Sequence, residues 1–392
     1  MISGTSFDAV EALLVELELE GEALVCDLVE HRSVPYPGVT HDAITALLPP
    51  SASTIEQVCR LDVAIGQFFA TVAKEIVDQH GPVDAVCSHG QTVYHWVEGD
   101  VARGTLQLGE PAWIAELTGA AVVGDVRNRD IACGGQGAPL ASLLDVLLLG
   151  SRPSLVSGSL NLGGISNVTV VGPDRPPIAF DIGPANALMD TVVRVLTDGQ
   201  ESFDRDGAWA ARGRPDRHLV KRLLDDPYFS LPPPKSTGKE HFNFGYVSSR
   251  LPERRDIAAE DLLASLTAAS AEMVAVALRP FGLNDLVVAG GGTRNPTLMA
   301  ELRARLPGVP MRSIDDLGVP EAAKEALVFA VIGFLTLCGL PATIPSCTGA
   351  ARPSVLGSVT PGRRPLPLPL SRRGASQAAP TRLVVRSPLP SR

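Results

Sequence analysis

Residues 155–171 read LVSGSLNLGGISNVTVV, an apolar β-rich run, a Gly163-Gly164 turn and a second β-rich run. The next apolar stretch, IAFDIG (178–183), supplies a third strand, so this region predicts a three-stranded meander. The chain opens on the same pattern. MISGTSFDAV (1–10) places a turn of Ser3, Gly4, Thr5, Ser6 and Asp8 behind a very short apolar lead. Residues 10–34, VEALLVELELEGEALVCDLVEHRSV, then alternate apolar and polar on both sides of Gly21, the signature of paired antiparallel strands. Two meanders, each followed by helices and strands, predict an internally duplicated α/β fold with a cleft between two lobes, a shape suited to a nucleotide and a second substrate.

Composition sets the outer limits. At 392 residues the chain is long enough for two domains. A formal net charge of -9 and a pI near 5.3 exclude nucleic acid or an anionic membrane as the main partner, since either calls for a basic face. A small molecule is the expected partner. Cys26, Cys59, Cys87, Cys133, Cys338 and Cys347 form no C-x-x-C pair and no secretory leader pattern is present, which reads as reduced thiols in the cytoplasm. The most apolar run, 326–340, is broken by Pro341 and falls short of the ~20 residues that span a bilayer. It is expected to be a buried helix.

Helical spacing is read over 54–80, 111–118, 186–196, 258–278, 295–306 and 321–340, and further strands at 83–88, 105–108, 121–124, 286–289 and 310–314. Residues 231–246 have no period and read as an ordered functional loop. The expected organisation is a first lobe at 1–125, a second at 126–345, a C-terminal segment at 346–360 and, from 361 to 392, a disordered tail rich in Pro and Arg with no acidic residue.

Chemistry gathers at the strand ends. The loops SGTSFDA (3–9) and NLGGISN (161–167) could bracket a polyphosphate across the cleft, although neither has the P-loop pattern G-x-x-x-x-G-K-[ST], and Gly163-Gly164 also fits a plain hairpin turn. VVAGGGTRN (287–295) runs an apolar strand into Gly290, Gly291 and Gly292, with Asn295 opening a helix; it fits a close backbone approach to a nucleotide or an ordinary βα turn. Asp181 closes a strand beside Gly183-Pro184, as a general base or a strand-end cap, with Asp190 as a competitor inside the following helix. Asp125, Arg127, Arg129 and Asp130 follow another strand, where the arginines either fork an anion or pair with the aspartates. His89 and Gln91 offer hydrogen bonds after an apolar strand, and His89 and His95 lack the spacing of a helical zinc pair. Lys235-Ser236-Thr237-Gly238 is either a phosphate or sugar contact or a turn.

Taken in order, SGTSFDAVE (3–11), SHGQTVYH (88–95), GDVRNRDIACGGQGAPL (124–140), NLGGISN (161–167), FDIGPANALMD (180–190), DPYFSLPPPKSTGKEHFN (226–243), GGGTRNP (290–296) and SCTGA (346–350) resemble the anhydro-N-acetylmuramic acid kinase family. That family belongs with hexokinase, actin and the heat-shock ATPases. The resemblance implies two ribonuclease H-like, actin-like ATPase lobes around a central nucleotide and sugar cleft. It implies ATP and Mg²⁺, an anhydro sugar released from peptidoglycan as substrate, and the sugar 6-phosphate and ADP as products. It further implies that water opens the 1,6-anhydro bridge while the freed O6 takes the γ-phosphoryl group, with one base able to serve both events.

Carried over by motif, that base is Asp181. The cofactor-binding set is Gly4, Thr5, Ser6, Asp8, Glu11, Gly163, Gly164, Gly290, Gly291, Gly292 and Asn295, with Asp8 touching the metal through water. His89, Gln91, Arg127, Arg129, Asn186 and Lys235 would contact the sugar. Pairing of two copies into a homodimer is left open. The chain departs from the family at Ala9, Glu11, Ile182 and Ala185, of which Ile182 and Ala185 are expected to crowd the site slightly. Its first strand is also expected to be shortened. Two other readings of the fold remain: an ATP-binding switch of the actin or chaperone type, and a polyphosphate phosphatase.

Overall fold

The opening turn leads into a long hairpin. In the computed structural model, which describes residues 1–4, 6–48, 51–99, 101–251, 257–365 and 378–389, β1 (Ile2–Ser3) is followed by β2 (Ala9–Glu20) and β3 (Ala23–Pro35), paired antiparallel from Ala9↔Pro35 to Glu20↔Ala23. Gly21 turns the hairpin at φ 62°, a left-handed conformation that needs no Cβ. Alternation does the rest: Val10 and Ala12 are buried, while Glu16, Glu18 and Glu20 face solvent.

The helix Ile55–His80 covers this sheet. Its start is fixed by a reciprocal capping box between Thr54 and Gln57, and it ends at Gly81. Leu61, Ile65, Phe69, Val72 and Ile76 recur on one face and pack in one core with Val10, Ala12, Ile114 and Val122. Four shorter strands complete this stretch: β4 (Ala85–Cys87), β5 (Gln91–Glu98), β6 (Val101–Leu108) and β7 (Ala121–Gly124). The sequence reading lacked β5, because its polar and aromatic residues do not alternate cleanly.

A second compact unit, Arg152–Asp316, holds β8 (Ser157–Leu162), β9 (Ile165–Gly172), β10 (Arg175–Pro184), β11 (Asp285–Ala289) and β12 (Met311–Ser313). The sheet order is β10-β9-β8-β11-β12, with the meander antiparallel and β11 parallel to both β8 and β12. This is the expected ribonuclease H-like order. Its core joins Leu160, Val168, Phe180 and Val192 to Leu263, Leu266 and Val274 of the helix Ala259–Leu278. Among the described residues only the segment Ala259–Phe281 has the length and apolarity to cross a membrane, and most of it is buried inside the protein.

From Leu317 the chain returns to the first unit, which comprises Met1–Ser151 and Leu317–Arg392. This corrects the expected lobe boundaries of 125 and 345. The apolar helix Lys324–Leu337 belongs to the same unit as β2 and β4, and an apolar run announces a buried helix without saying which core receives it. β13 (Ser358–Thr360) pairs with β7, and β14 (Arg382–Ser387) lies parallel to β3. The unit therefore has a six-stranded sheet, β14-β3-β2-β1-β5-β6, and a small one, β13-β7-β4.

β14 overturns the expectation of a disordered tail in this stretch. Leu383-Val384-Val385 is a short apolar run hidden in a Pro/Arg-rich context; Leu383 is buried, and Arg386 forms an ion pair with Asp27. Residues 366–377 and 390–392, also assigned to that tail, lie outside the described residues.

Candidate active site

In the first unit the opening turn is braced from below. Ser3 is buried and its hydroxyl donates to Gln91 Oε1, while Gln91 Nε2 donates to the Gly4 carbonyl at 3.2 Å and to that of Thr92 at 3.1 Å. Gln91 thus shapes the turn with both ends of its amide. Ser6 and Asp8 are exposed, Phe7 takes a positive φ of 44°, and Thr5 lies outside the described residues. Glu11 sits on the strand beyond the turn, 2.8 Å from His31 Nε2 and accepting from Ser33 Oγ at 2.5 Å, so its carboxylate is engaged across the hairpin.

His89 and Arg127 form one assembly. Arg127 Nε donates to His89 Nε2 at 2.7 Å, and Arg127 Nη1 donates to the Gly137 carbonyl at 2.6 Å. His89 is buried against Phe329, with ring centroids 4.4 Å apart. Burial, then the neighbouring guanidinium, hold its pKa well below the ordinary value. Burial likewise lowers Arg127 to about 10, against the pull of Glu325 and Asp130. Glu325, which the sequence reading did not single out, has its Oε2 3.6 Å from where a Cβ on Gly4 would stand, facing the opening turn. No motif reading would find it, because it lies at the start of an otherwise apolar helix. Arg129 is exposed.

Asp130 orders the glycine-rich segment that follows. Fully buried, it accepts from Gly137 N at 2.7 Å and from Thr348 Oγ1 at 2.7 Å, which ties the segment after β7 to SCTGA 218 residues away. A Cβ on Gly135 would overlap its Oδ2 at 2.2 Å. Glycine at 135 is a packing requirement of this carboxylate.

In the second unit the Gly163-Gly164 turn joins β8 to β9. Its carbonyls accept from the backbone of Ala185, Asn186 and Ala187 at 2.9–3.1 Å, and Asn186 Nδ2 adds bonds to Gly163 O at 2.8 Å and Leu162 O at 3.1 Å. Asn186 therefore locks the turn to the start of the helix Ala187–Leu196. Gly290, at φ 92°, and Gly292 press on Leu162: a Cβ on Gly290 would stand 2.8 Å from its backbone, and one on Gly292 2.7 Å from its Cβ. Gly291 has nothing within 4 Å of such a Cβ and is exposed. Asn295 caps the helix Pro296–Arg305 by accepting from Leu298 N at 3.0 Å.

Asp181 is half-buried near the end of β10. Its Oδ2 accepts from Ser236 Oγ at 2.8 Å and Thr237 N at 3.0 Å. Burial pushes its pKa up, the Thr237 and Ser236 donors oppose that, and Glu240 adds to the rise. Lys235 is turned onto the chain itself: its ammonium donates to the Tyr228 carbonyl at 3.0 Å and lies 4.5 Å from the centroid of the Tyr228 ring. Asp190 is raised to about 6 by burial, against Arg194 and Lys239. The departures Ile182 and Ala185 are both buried in the core of this unit.

Two α/β units with glycine turns at their strand ends and a carboxylate set beside one of them are the framework of a sugar kinase. The family model described as anhydro-N-acetylmuramic acid kinase matches residues 1–362. A Streptomyces coelicolor protein of that name is 55% identical over 371 residues, covering 94% of this chain and 95% of its own. Its Rhodococcus erythropolis counterpart is 50% identical over 94% of each chain, and one from Caldanaerobacter subterraneus is 37% identical over 92% of this chain and 96% of its own. The chain belongs to the anhydro-N-acetylmuramic acid kinase family, and it is a phosphotransferase.

Proposed function

We propose that this kinase uses ATP to open and phosphorylate the 1,6-anhydro ring of anhydro-N-acetylmuramic acid in peptidoglycan recycling. The reading rests on family membership and on one structural observation, the half-buried Asp181 with its pKa raised by burial. Asp181 takes a proton from the attacking water as the water oxygen bonds to the anomeric carbon. The bond from that carbon to O6 breaks, and O6 keeps the electron pair. O6 then attacks the γ-phosphorus, the bond to the β-phosphate oxygen breaks, and ADP leaves. A carboxylate whose pKa is raised by burial is a stronger base than an ordinary aspartate, which favours proton removal from water.

The glycine turns 163–164 and 290–292 serve the nucleotide, with Gly291 the position open to a close approach. Phosphoryl transfer requires chiefly alignment and charge neutralisation, which Arg127 and backbone donors supply. Asp8, exposed on the opening turn, would hold a hydrated magnesium ion through water. Among the described residues no group of three His, Cys, Asp or Glu would hold a metal by itself. The bound ion would neutralise phosphate charge. The six free cysteines and the acidic charge support a cytoplasmic enzyme with small-molecule partners.

Incubation with ATP and anhydro-N-acetylmuramic acid in ¹⁸O-water tests this. The expected product is the 6-phosphorylated reducing sugar with label at the anomeric carbon. Label in the phosphoryl group, or ATP hydrolysis without sugar product, would overturn it and favour a phosphatase or an ATP-binding switch.

A further inference from the structure

The turn 235–237 is built around Asp181. Asp181 N donates to the Lys235 carbonyl at 2.9 Å, Tyr228 Oη donates to the Asp181 carbonyl at 2.7 Å, and both Ser236 Oγ and Thr237 N converge on Oδ2. Lys235 closes the loop, with its ammonium on the carbonyls of Tyr228, at 3.0 Å, and Phe229, at 3.4 Å. Phe229 in turn meets Gly183, where a Cβ would stand 2.7 Å from its ring. Backbone and carboxylate of one residue are thereby held by one loop, and that loop is anchored to the short helical turn Pro227–Ser230.

We propose that Ser236 and the Thr237 amide are positioning groups for the reaction: they fill both lone-pair sites of Asp181 Oδ2 and leave Oδ1 as the atom that takes the proton from water. A carboxylate oxygen accepts about two hydrogen bonds in its own plane, so the two donors fix the carboxylate rotation as well as its position. Directed this way, the free oxygen meets the water at one angle, and alignment of that kind carries much of a catalytic rate. The proposal rests on reading Asp181 as the base. The titratable groups facing it are Glu240 and the Tyr228 phenol, with the Lys235 ammonium over the Tyr228 ring.

Ser236→Ala, Ser236→Thr and Asp181→Asn in the full-length enzyme test it. Ser236 is exposed, so Ser236→Ala is expected to stay folded and to lose no more stability than its one hydrogen bond to Asp181 supplies. Ser236→Ala is expected to lower kcat about tenfold, the worth of one hydrogen bond to a charged group, with both KM values held. Loss of a donor to the ionised form raises the base's pKa, so the acid limb of the kcat profile moves to higher pH. Ser236→Thr keeps the hydroxyl and restores both. A wild-type kcat and acid limb in Ser236→Ala, or a raised sugar KM with the limb in place, overturns the proposal. An active Asp181→Asn would instead overturn the base assignment, so the two failures are distinguishable.

Discussion

Arg127 Nε stands 2.7 Å from His89 Nε2, and this contact fixes the state of the imidazole. A guanidinium only donates, so Nε2 accepts and the ring proton resides on Nδ1, from which it reaches the Gly90 carbonyl at 3.1 Å. His89 is therefore neutral, and its Nε2 holds the Arg127 guanidinium in place.

Stability should respond to acid through this pair. The folded pKa of His89 lies well below 6.5, so the unfolded chain binds the proton first. Its contribution is complete above the ordinary histidine pKa and is lost as pH falls below it, at up to about 1.4 kcal/mol per pH unit. In His89→Gln, where the amide oxygen can still accept from Arg127, the fall in Tm between about pH 6.5 and 5.5 is expected to be shallower. His95, also lowered by burial and then by Arg127, is common to both proteins. Parallel Tm curves would contradict the assignment.

Asp181→Asn preserves the shape of the side chain and removes its basicity. Turnover is expected to fall by about 10²–10⁴, the usual weight of a general base, with the KM for ATP little changed. Steady-state kinetics with both substrates measures this, and a near-normal kcat would exclude Asp181 as the base.

Gly290 and Gly291 of GGGTRNP should separate by mechanism. Gly290→Ala forces a Cβ onto the Leu162 backbone at a φ of 92°, so a loss of about 2–5 kcal/mol is expected from left-handed strain plus overpacking. Gly291→Ala meets nothing within 4 Å, so its stability should match wild type while its KM for ATP rises. Denaturant melts and ATP titrations of the two variants decide the matter. An unchanged KM in Gly291→Ala would remove that residue from the nucleotide site.

β14 should contribute measurably to the first unit. Leu383 is 3% exposed, and Leu383→Ala is expected to cost about 2 kcal/mol or more. Arg386→Ala, which loses ion pairs to Asp27 and Glu20 at the protein surface, should lower the melting temperature less than Leu383→Ala. Ending the chain after Pro365 should lower it, because the edge of β3 then loses its partner strand. Equal melting of the truncated and full chains would show that β14 adds nothing.

Much of the fold was legible because local signals agree with one another. Gly21 between alternating strands, Thr54 with Gln57 ahead of a helical face, and the glycine pair at 163–164 each announce their element and its end. What stayed hidden depends on distant partners. Leu383-Val384-Val385 becomes a strand only because β3 offers an open edge, and Glu325 reaches the opening turn only through the packing of its helix. The site divides in the same way. Asp181 was legible as a strand-end carboxylate, whereas Ser236 and Thr237 read as a phosphate or sugar contact or a turn, with nothing to link them to Asp181. Gln91, Asn186, Asn295 and Lys235 carry the polarity expected of ligand contacts, yet their side chains are engaged in hydrogen bonds that hold the chain itself.

The split membership of the first unit bears on the order in which the protein is made. Residues 152–316 emerge as one uninterrupted stretch, so their sheet can assemble during synthesis, whereas the first unit waits for the helix Lys324–Leu337 and for β14, which arrives more than 340 residues after its neighbour β3. Closing so distant a pair is slow, and until then the outer edge of β3 is an unpaired template for other chains. Pulsed hydrogen exchange during refolding should protect the amides of β8–β10 before those of β14. Simultaneous protection would mean that the two units fold as one.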